Sequence, residues 1–303
     1  MSLQQPSFLL ENQNLKQLNT WLVGGSARFF AQPRTTEEVG EVLFGAHRKG
    51  IPVFVLGSGS NVLVLDEVFP GLVLSTRSLL SWFHEPQESC HFFVAGSGVP
   101  KSELLKHLLR LKNPAALFLA GIPGTLGGGV AMNAGVSEEL IPREFVGITH
   151  SVELCSFQGD SFWRKASEFN WDYRHCGGIQ GHVVTRVRLR VGIHSDELVP
   201  MRVRELNQRR LQRQPLSQPS CGSVFRNPAQ GPKAAQLIEQ CGLKGLQIGG
   251  AQVSTKHANF IVNLGGARAA DMQACMERVQ EEVWACTGVE LKSEVVFLRS
   301  VLN

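Results

Sequence analysis

The stretch AGIPGTLGGGVAMNAG (120–135) carries six glycines and Pro123 without a single charged residue. Glycine lacks a Cβ, so its backbone can approach a ligand closely and adopt positive φ. Successive main-chain N–H groups in such a segment can cradle a pyrophosphate with no cationic side chain. A second segment, LGSGSN (56–61), has the same character, about 65 residues earlier. Two such loops suggest a dinucleotide gripped from two sides; a purely structural loop is the plainer alternative. A membrane span over the uncharged run 114–137 is argued against by propensity, since each interior Gly costs a helix about 1 kcal/mol and Pro about 3 kcal/mol.

Other candidates stand further along. SCGSVFRNP (220–228) places Ser220, Ser223, Arg226 and Asn227 on a loop between two prolines. It is either a capped turn or a site for a hydroxyl donor; the G-x-S-x-G elbow of a nucleophilic serine is absent. Arg202, Arg204, Arg209, Arg210 and Arg213 recur on one basic helix. A solvated face is the default reading, and a phosphate clamp is the functional alternative, because guanidinium matches phosphate bidentately. Nucleic acid is disfavoured, because this stretch lacks the aromatic residues that single-strand binders use for stacking. Arg174 follows Tyr173, the only tyrosine of the chain. Glu294, in KSEVVF (292–297), lies in an apolar run read as a strand, either edge-exposed or tuned as an acid.

These residues need a scaffold. IPVFVLGSGSNVLVLD (51–66) reads as strand, tight loop, strand. Gly57 and Gly59 give G-x-G, but Val62 stands where the Rossmann fingerprint needs its third glycine, and no helix follows. TTEEVGEVLFGAHRKG (35–50) reads as a helix capped by Thr35 or Thr36 and ended by Gly50. Strands are expected at 71–75, 91–98, 146–157 and 181–192, and an amphipathic helix at 101–112. The segment 201–215 reads as the basic helix, 215–232 as a loop-rich boundary, 233–245 as a helix and 257–266 as strand and turn. A long amphipathic helix over 267–288 and a strand over 289–301 complete a small α+β unit of about 100 residues.

Composition fits an ordinary globular protein: 303 residues, 43% hydrophobic, 18% charged, net charge +4. The start MSLQQPSFLLENQNLK lacks the basic, then apolar pattern of a signal peptide. Seven scattered cysteines, odd in number and without a C-x-x-C pair, argue against a disulfide framework or a metal site and for a reducing compartment.

Taken together, NTWLVGGSARFF (19–30), LGSGSNVLV (56–64), the glycine stretch 120–135, DYRHC (172–176), QPLSQPSCGSVFRNP (214–228), GLKGLQIGGAQVSTKHANFIVN (242–263) and LKSEVVF (291–297) resemble the UDP-N-acetylenolpyruvoylglucosamine reductase family (MurB), in its shorter class without an inserted tyrosine loop. The resemblance implies an α+β chain. It further implies a vanillyl-alcohol oxidase/p-cresol methylhydroxylase-type FAD-binding domain in two subdomains (1–75 and 76–195) and a C-terminal substrate domain (196–303). It implies non-covalent FAD reduced by NADPH, and reduction of UDP-N-acetylglucosamine enolpyruvate to UDP-N-acetylmuramate by a cytoplasmic monomer. No nucleic-acid, membrane or metal partner is expected. Arg174, Ser223 and Glu294 match the catalytic positions. Gly57, Ser58, Gly59, Ser60, Asn61, Pro123, Gly124, Thr125, Gly127, Gly128, Asn133 and Val183 match the flavin contacts. Arg210, Arg226, Asn227 and the Lys256–His257 region match the substrate contacts. The chain departs from the family pattern at Val136-Ser137-Glu138 and at His175-Cys176. Another FAD-dependent oxidoreductase of the same fold and a non-catalytic nucleotide-binding protein are the alternatives.

Overall fold

The computed structural model describes residues 9–136 and 140–299. In chain order its first elements are β1 (Leu9–Asn14), β2 (Ser26–Ala31), α1 (Thr36–Arg48), β3 (Val53–Leu56), β4 (Val62–Val64), β5 (Phe69–Ser75), β6 (Trp82–Pro86) and β7 (Cys90–Gly96). Then come α2 (Lys101–Arg110), α3 (Ala116–Leu119), α4 (Leu126–Ala131), β8 (Thr149–Ser156), β9 (Ser161–Lys165), β10 (Asn170–Asp172), β11 (His175–Gly177) and β12 (His182–Gly192). The last are α5 (Val199–Arg213), α6 (Ala234–Gln240), β13 (Gln247–Ile248), β14 (Ala251–Val253), β15 (Ile261–Asn263), α7 (Ala269–Thr287) and β16 (Val296–Leu298). The chain forms two compact units. One holds Met1–Glu11, Phe29–Ser58 and Gly71–Gln208; the other holds Asn12–Arg28, Gly59–Pro70 and Arg209–Asn303.

In the first unit, β3 runs parallel to β5 in a sheet of order β1-β2-β5-β3. The Thr35 hydroxyl accepts the Glu38 N–H at 3.2 Å and starts α1. That helix buries Val39, Val42 and Leu43 with Leu72 and Leu74. An antiparallel sheet of order β6-β7-β12-β8-β9 has the eleven-residue β12 at its centre. Its core joins Phe93 and Val187 to Leu104 and Leu108 of α2 and to Phe118 and Phe145.

The second unit packs α6 and α7 with the β13-β14-β15 sheet around Leu237, Ile238, Met272, Met276 and Val279. Its members include Trp21 and Leu63, so two early segments belong with the C-terminal one. The Trp21 indole donates to the Ile261 carbonyl at 2.7 Å, and Asn263 Nδ2 donates to the Trp21 carbonyl at 2.9 Å. α7 ends at Gly288 in the left-handed region, φ +69°.

Three readings of the sequence need correction. The glycine run is not all loop, since Leu126–Ala131 is helical. Helix propensity is overruled there by backbone bonds from Leu126 N–H to Val99 at 2.8 Å and from Gly127 N–H to Ser97 at 2.9 Å, with Leu126 and Val130 in the core. The expected strand over 289–301 shrinks to β16, which pairs with β4 in parallel, and Glu294 lies outside it. Residues just before β16 make only an isolated antiparallel bridge, Phe225 with Ser293, through Arg226 N–H to the Lys292 carbonyl at 2.9 Å and Glu294 N–H to the Val224 carbonyl at 2.8 Å. In the segment 257–266, read as strand and turn, only Ile261–Asn263 is strand. Residues 300–301 of the expected strand lie outside the described residues, as do Ser137 and Glu138.

A buried carboxylate ties the first unit together. Glu153, 4% exposed, accepts from Arg186 at 2.7 and 2.5 Å, from Thr185 at 2.7 Å and from Thr36 at 3.2 Å. Burial pushes its pKa up, but the Arg186, Thr185 and Thr36 hydrogen bonds outweigh burial and hold the carboxyl below the usual range. Glu153→Gln is expected to lower the urea-unfolding free energy at neutral pH by about 2 kcal/mol. The carboxylate stabilises the fold above the unfolded pKa of about 4.3 and stops doing so as pH falls through its lower folded pKa. The gap between wild type and variant is therefore expected to close on acidification, measured by urea titrations across that window.

Candidate functional site

In the first unit the two glycine segments touch. A Cβ added to Gly57 would meet Thr125 Oγ1 at 3.1 Å, and one added to Gly128 would meet the same oxygen at 3.4 Å. The neighbours of Gly128 behave differently: a Cβ on Gly127 would stand 2.5 Å from Ser97 Cβ, and one on Gly129 2.5 Å from the Phe145 ring. Gly127 and Gly129 are thus glycine for packing, whereas Gly128 leaves room beside Thr125. The Thr125 hydroxyl accepts the Gly128 N–H at 3.4 Å. Pro123 and Gly124 are held by Lys101, whose Nζ donates to the Pro123 carbonyl at 2.9 Å and whose backbone N–H donates to Gly124 at 3.0 Å. Arg77 holds the other segment, donating to the carbonyls of Gly57 at 3.2 Å and Ser58 at 2.6 Å. Ser97 Oγ is buried beside Gly127 with no hydrogen-bond partner among the described residues. Sequence reading missed Lys101, Arg77 and Ser97. Each stands outside the glycine motifs, and only the fold brings it to them.

Arg174 occupies the turn between β10 and β11 in the left-handed region, φ +56°, with its guanidinium 4.9 Å from the Tyr173 ring centre. Asn133 braces this hairpin. Its Nδ2 donates to the Asp172 carbonyl and to Glu144 Oε2, both at 3.1 Å, and its Oδ1 accepts the Val146 N–H at 3.0 Å. The Val183 side chain is core, packed with Cys155 and Leu72, so this residue offers a ligand only its main chain. At the departure after Arg174, Cys176 is also core, and burial pushes its thiol up to about 11. His175 is exposed.

In the second unit, Ser223 follows Gly222, φ +83°, on the loop between α5 and α6. Asn259, 4% exposed, clamps the residues after it: its Oδ1 accepts the Phe225 N–H at 2.9 Å and its Nδ2 donates to the Phe225 carbonyl at 2.8 Å. Val224 N–H also donates to the Asn259 carbonyl at 2.9 Å. The Glu294 N–H donates to Val224 at 2.8 Å, and Asn61 Nδ2 donates to the Glu294 carbonyl at 3.0 Å. Ser223 and Glu294 are therefore on two segments sewn side by side. The charge of Glu294 reaches this loop, adding to the burial that raises the Cys221 thiol.

Gly59 is packed against Leu18 and Asn19 at φ +70°, and its carbonyl accepts the Thr20 N–H at 3.1 Å; Ser60 is half-buried beside it. Asn227 Oδ1 accepts the Ala234 N–H at 3.2 Å and starts α6. Arg226 Nε is buried with no hydrogen-bond partner among the described residues. Arg210 is half-buried and donates to Gln214 Oε1 at 3.2 and 3.0 Å, while Arg209 and Arg213 are exposed. Lys256 Nζ donates to the Leu211 carbonyl at 2.5 Å. His257 accepts the Asn259 N–H on Nδ1 at 3.3 Å, so its neutral form carries the proton on Nε2. Burial lowers the His257 pKa and favours that form.

Comparison with known proteins decides what these pieces belong to. The family profile described as the C-terminal domain of UDP-N-acetylenolpyruvoylglucosamine reductase matches residues 214–298, and that of an FAD binding domain matches residues 27–161. A UDP-N-acetylenolpyruvoylglucosamine reductase of Methylococcus capsulatus is 40% identical over 286 residues, covering 94% of this chain and 91% of its own. One from Moorella thermoacetica is 40% identical over 293 residues, with 95% and 92% covered. The crystal structure of the Thermus caldophilus reductase superposes with a TM-score of 0.80 at 33% identity, covering 95% of this chain and 98% of that one. The chain belongs to the UDP-N-acetylenolpyruvoylglucosamine reductase family.

As a reductase of this family with a matched FAD-binding domain, the chain is a flavoprotein oxidoreductase of the α+β class. Its first unit fits that cofactor on independent grounds. The room at Gly128, the Ser97 hydroxyl without a partner among the described residues and the adjoining Gly57 segment are compatible with main-chain binding of a pyrophosphate. Among the described residues no helix is long and apolar enough to cross a membrane.

The contrast between adjacent glycines is testable. Gly128→Val is expected to fold and to purify with little or no flavin, read from the ratio of visible to ultraviolet absorbance. Gly129→Val drives side-chain atoms into the Phe145 ring and is expected to give aggregated or poorly folded protein, because overpacking by this much commonly costs about 1–3 kcal/mol or more. Wild-type flavin content in Gly128→Val would remove this segment from the flavin site.

Proposed function

We propose that the chain reduces UDP-N-acetylglucosamine enolpyruvate to UDP-N-acetylmuramate with NADPH, acting as a cytoplasmic monomer in peptidoglycan precursor synthesis. By role, residues 1–75 and 76–195 are assigned to the flavin and 196–303 to the substrate. The observation that carries the assignment of chemistry is the hydrogen-bonded pairing of the Ser223 loop with the Glu294 segment, through Val224, Asn61 and the Asn259 clamp.

Bound FAD would supply the hydride, accepted from NADPH and given to the terminal methylene carbon of the substrate. The residues of the chain manage the charge and the proton that this transfer leaves behind. Electron density moves from the vinyl group into the carboxylate, and a fixed cation there stabilises the developing charge. Arg174 is assigned that task, because its planar guanidinium matches a carboxylate with two parallel hydrogen bonds. The Ser223 hydroxyl then gives its proton to the carbon that bears the ether oxygen. This completes addition of one hydride and one proton across the double bond and leaves a lactyl ether. An alcohol is a weak acid at neutral pH, but the carbanionic centre is a strong base, so the transfer runs downhill. Glu294, on the neighbouring segment, orients this exchange or returns the proton.

Arg226 and Arg210 are assigned to the substrate. The Arg226 Nε is a buried donor without an acceptor among the described residues, which an anionic ligand would satisfy. Arg210 is held half-buried by Gln214, unlike the exposed Arg209 and Arg213. His257 offers its Nε2–H.

Two experiments test these assignments. Ser223→Ala is expected to be reduced by NADPH at a near-normal rate under anaerobic stopped flow. Reoxidation by the enolpyruvyl substrate should then slow by about 10²-fold or more, since positioned proton transfer contributes roughly 10²–10⁴-fold. Reoxidation at the wild-type rate would pass the proton donor's role to a water molecule or Glu294. Arg210→Ala is expected to raise the substrate KM about ten- to hundredfold at unchanged flavin content, the mark of lost uniform binding. An unchanged KM would return Arg210 to a solvated helix face.

A further inference from the structure

Lys101 has no part in the chemistry above, yet it is buried at 5% exposure in the first turn of α2. Its Nζ donates to the Pro123 carbonyl at 2.9 Å and stands 5.4 Å from the centre of the Phe145 ring, the ring against which Gly129 packs. No carboxylate is paired with it among the described ion pairs. The acids nearest in sequence to its contacts are engaged elsewhere. Glu103 pairs with Lys106 at 2.7 Å, Glu144 accepts from Asn133 at 3.1 Å, and Asp172 accepts the Tyr173 N–H at 2.7 Å. The charge that does act on Lys101 is a second cation, Arg174. Burial first, and Arg174 second, bring its pKa from 10.5 down to about 7.

Such a position is unfavourable for an ammonium group. An apolar side chain of the same length would fill it at no electrostatic penalty, and buried ionic groups are commonly replaced by apolar ones without loss of stability. Side chains held in a state that does not favour the fold cluster at functional sites. The group it grips is also informative. Pro123 and Gly124 have no side chain that could anchor them, and Lys101 holds both, one through Nζ and one through its own backbone N–H.

We propose that Lys101 is a positioning residue of the flavin site. Its ammonium fixes the Pro123 carbonyl, keeps the backbone from Pro123 to Gly128 in the shape that receives the cofactor's pyrophosphate, and adds positive charge behind that backbone. This rests on the reading of the glycine segment as the flavin cradle.

Lys101→Met and Lys101→Leu keep the volume and remove the charge. The flavin-free variants are expected to melt no lower than flavin-free wild type, followed by far-ultraviolet circular dichroism. The FAD dissociation constant is expected to rise about tenfold or more, read from free-flavin fluorescence as the holoprotein is diluted. A purely structural lysine would give the reverse pattern, a lower melting temperature with unchanged FAD affinity, and that result overturns the proposal. The pH dependence gives a second reading. As the pH passes about 7, the flavin-free wild type loses this proton, so its FAD dissociation constant should rise there while that of Lys101→Met stays flat. Parallel profiles for the two proteins overturn the proposal as well. Wild type that retained no FAD would defeat the flavin reading of the segment itself. Loss of FAD in Gly128→Val alongside wild-type affinity in Lys101→Met would defeat the role of Lys101 alone.

Discussion

A segment made of glycine has almost no side chain to bury, so it must be held by its main chain. This constraint shapes the first unit around Pro123–Gly129. Lys101 takes the carbonyl of Pro123, the Lys101 N–H takes that of Gly124, and the N–H groups of Leu126 and Gly127 are bound by Val99 and Ser97. Buried main-chain groups are costly to leave unpaired, so each partner is fixed once the segment is. The same logic explains why Gly96 and Gly98 lie directly against the backbones of Leu79 and Thr76. The chain is brought too close there for any Cβ, and the close approach fixes where the glycine segment sits.

The second unit solves a similar problem with side-chain amides. The loop after Ser223 is irregular, and Asn259 supplies the donor and acceptor that a neighbouring strand would otherwise provide. Asn61 does the same for the carbonyl of Glu294, while Asn227 starts α6. Asn133 performs this service in the first unit for the hairpin that carries Arg174. Asparagine suits such places because one short side chain presents both donor and acceptor. Four residues whose types suggest ligand contacts are thus at least partly committed to building the site.

Charge is distributed unevenly between these roles. Glu153 and Arg186 neutralise each other within a sheet, and their contribution is structural. Arg77 and Lys101 donate to carbonyl oxygens of the glycine segments. Burial lowers the pKa of both. A carbonyl satisfies hydrogen bonds without cancelling charge, so the Lys101 ammonium adds positive charge behind its glycine segment, which favours a cofactor carrying a pyrophosphate.

The sequence by itself determined the family, the α+β class, most helices and the two uncharged glycine segments. The family follows from the resemblance of several long motifs in order, and the elements follow from periodicity, capping residues and composition, which are local properties. α1 starts at Thr35, one of the two caps read, and α7 closes at Gly288. Arg174, Ser223 and Glu294 stand out in the sequence because they sit inside long ordered motifs. Only the tertiary structure decided that Leu126–Ala131 is helical and that Glu294 leaves its expected strand, since both depend on backbone partners tens of residues away. It also separated Gly128 from Gly127 and Gly129, which are identical in sequence terms and differ only in what lies beyond a missing Cβ. Lys101 was invisible for the same reason. At the start of an amphipathic helix a lysine reads as solvated, and only packing against Phe145 and Pro123 buries its charge.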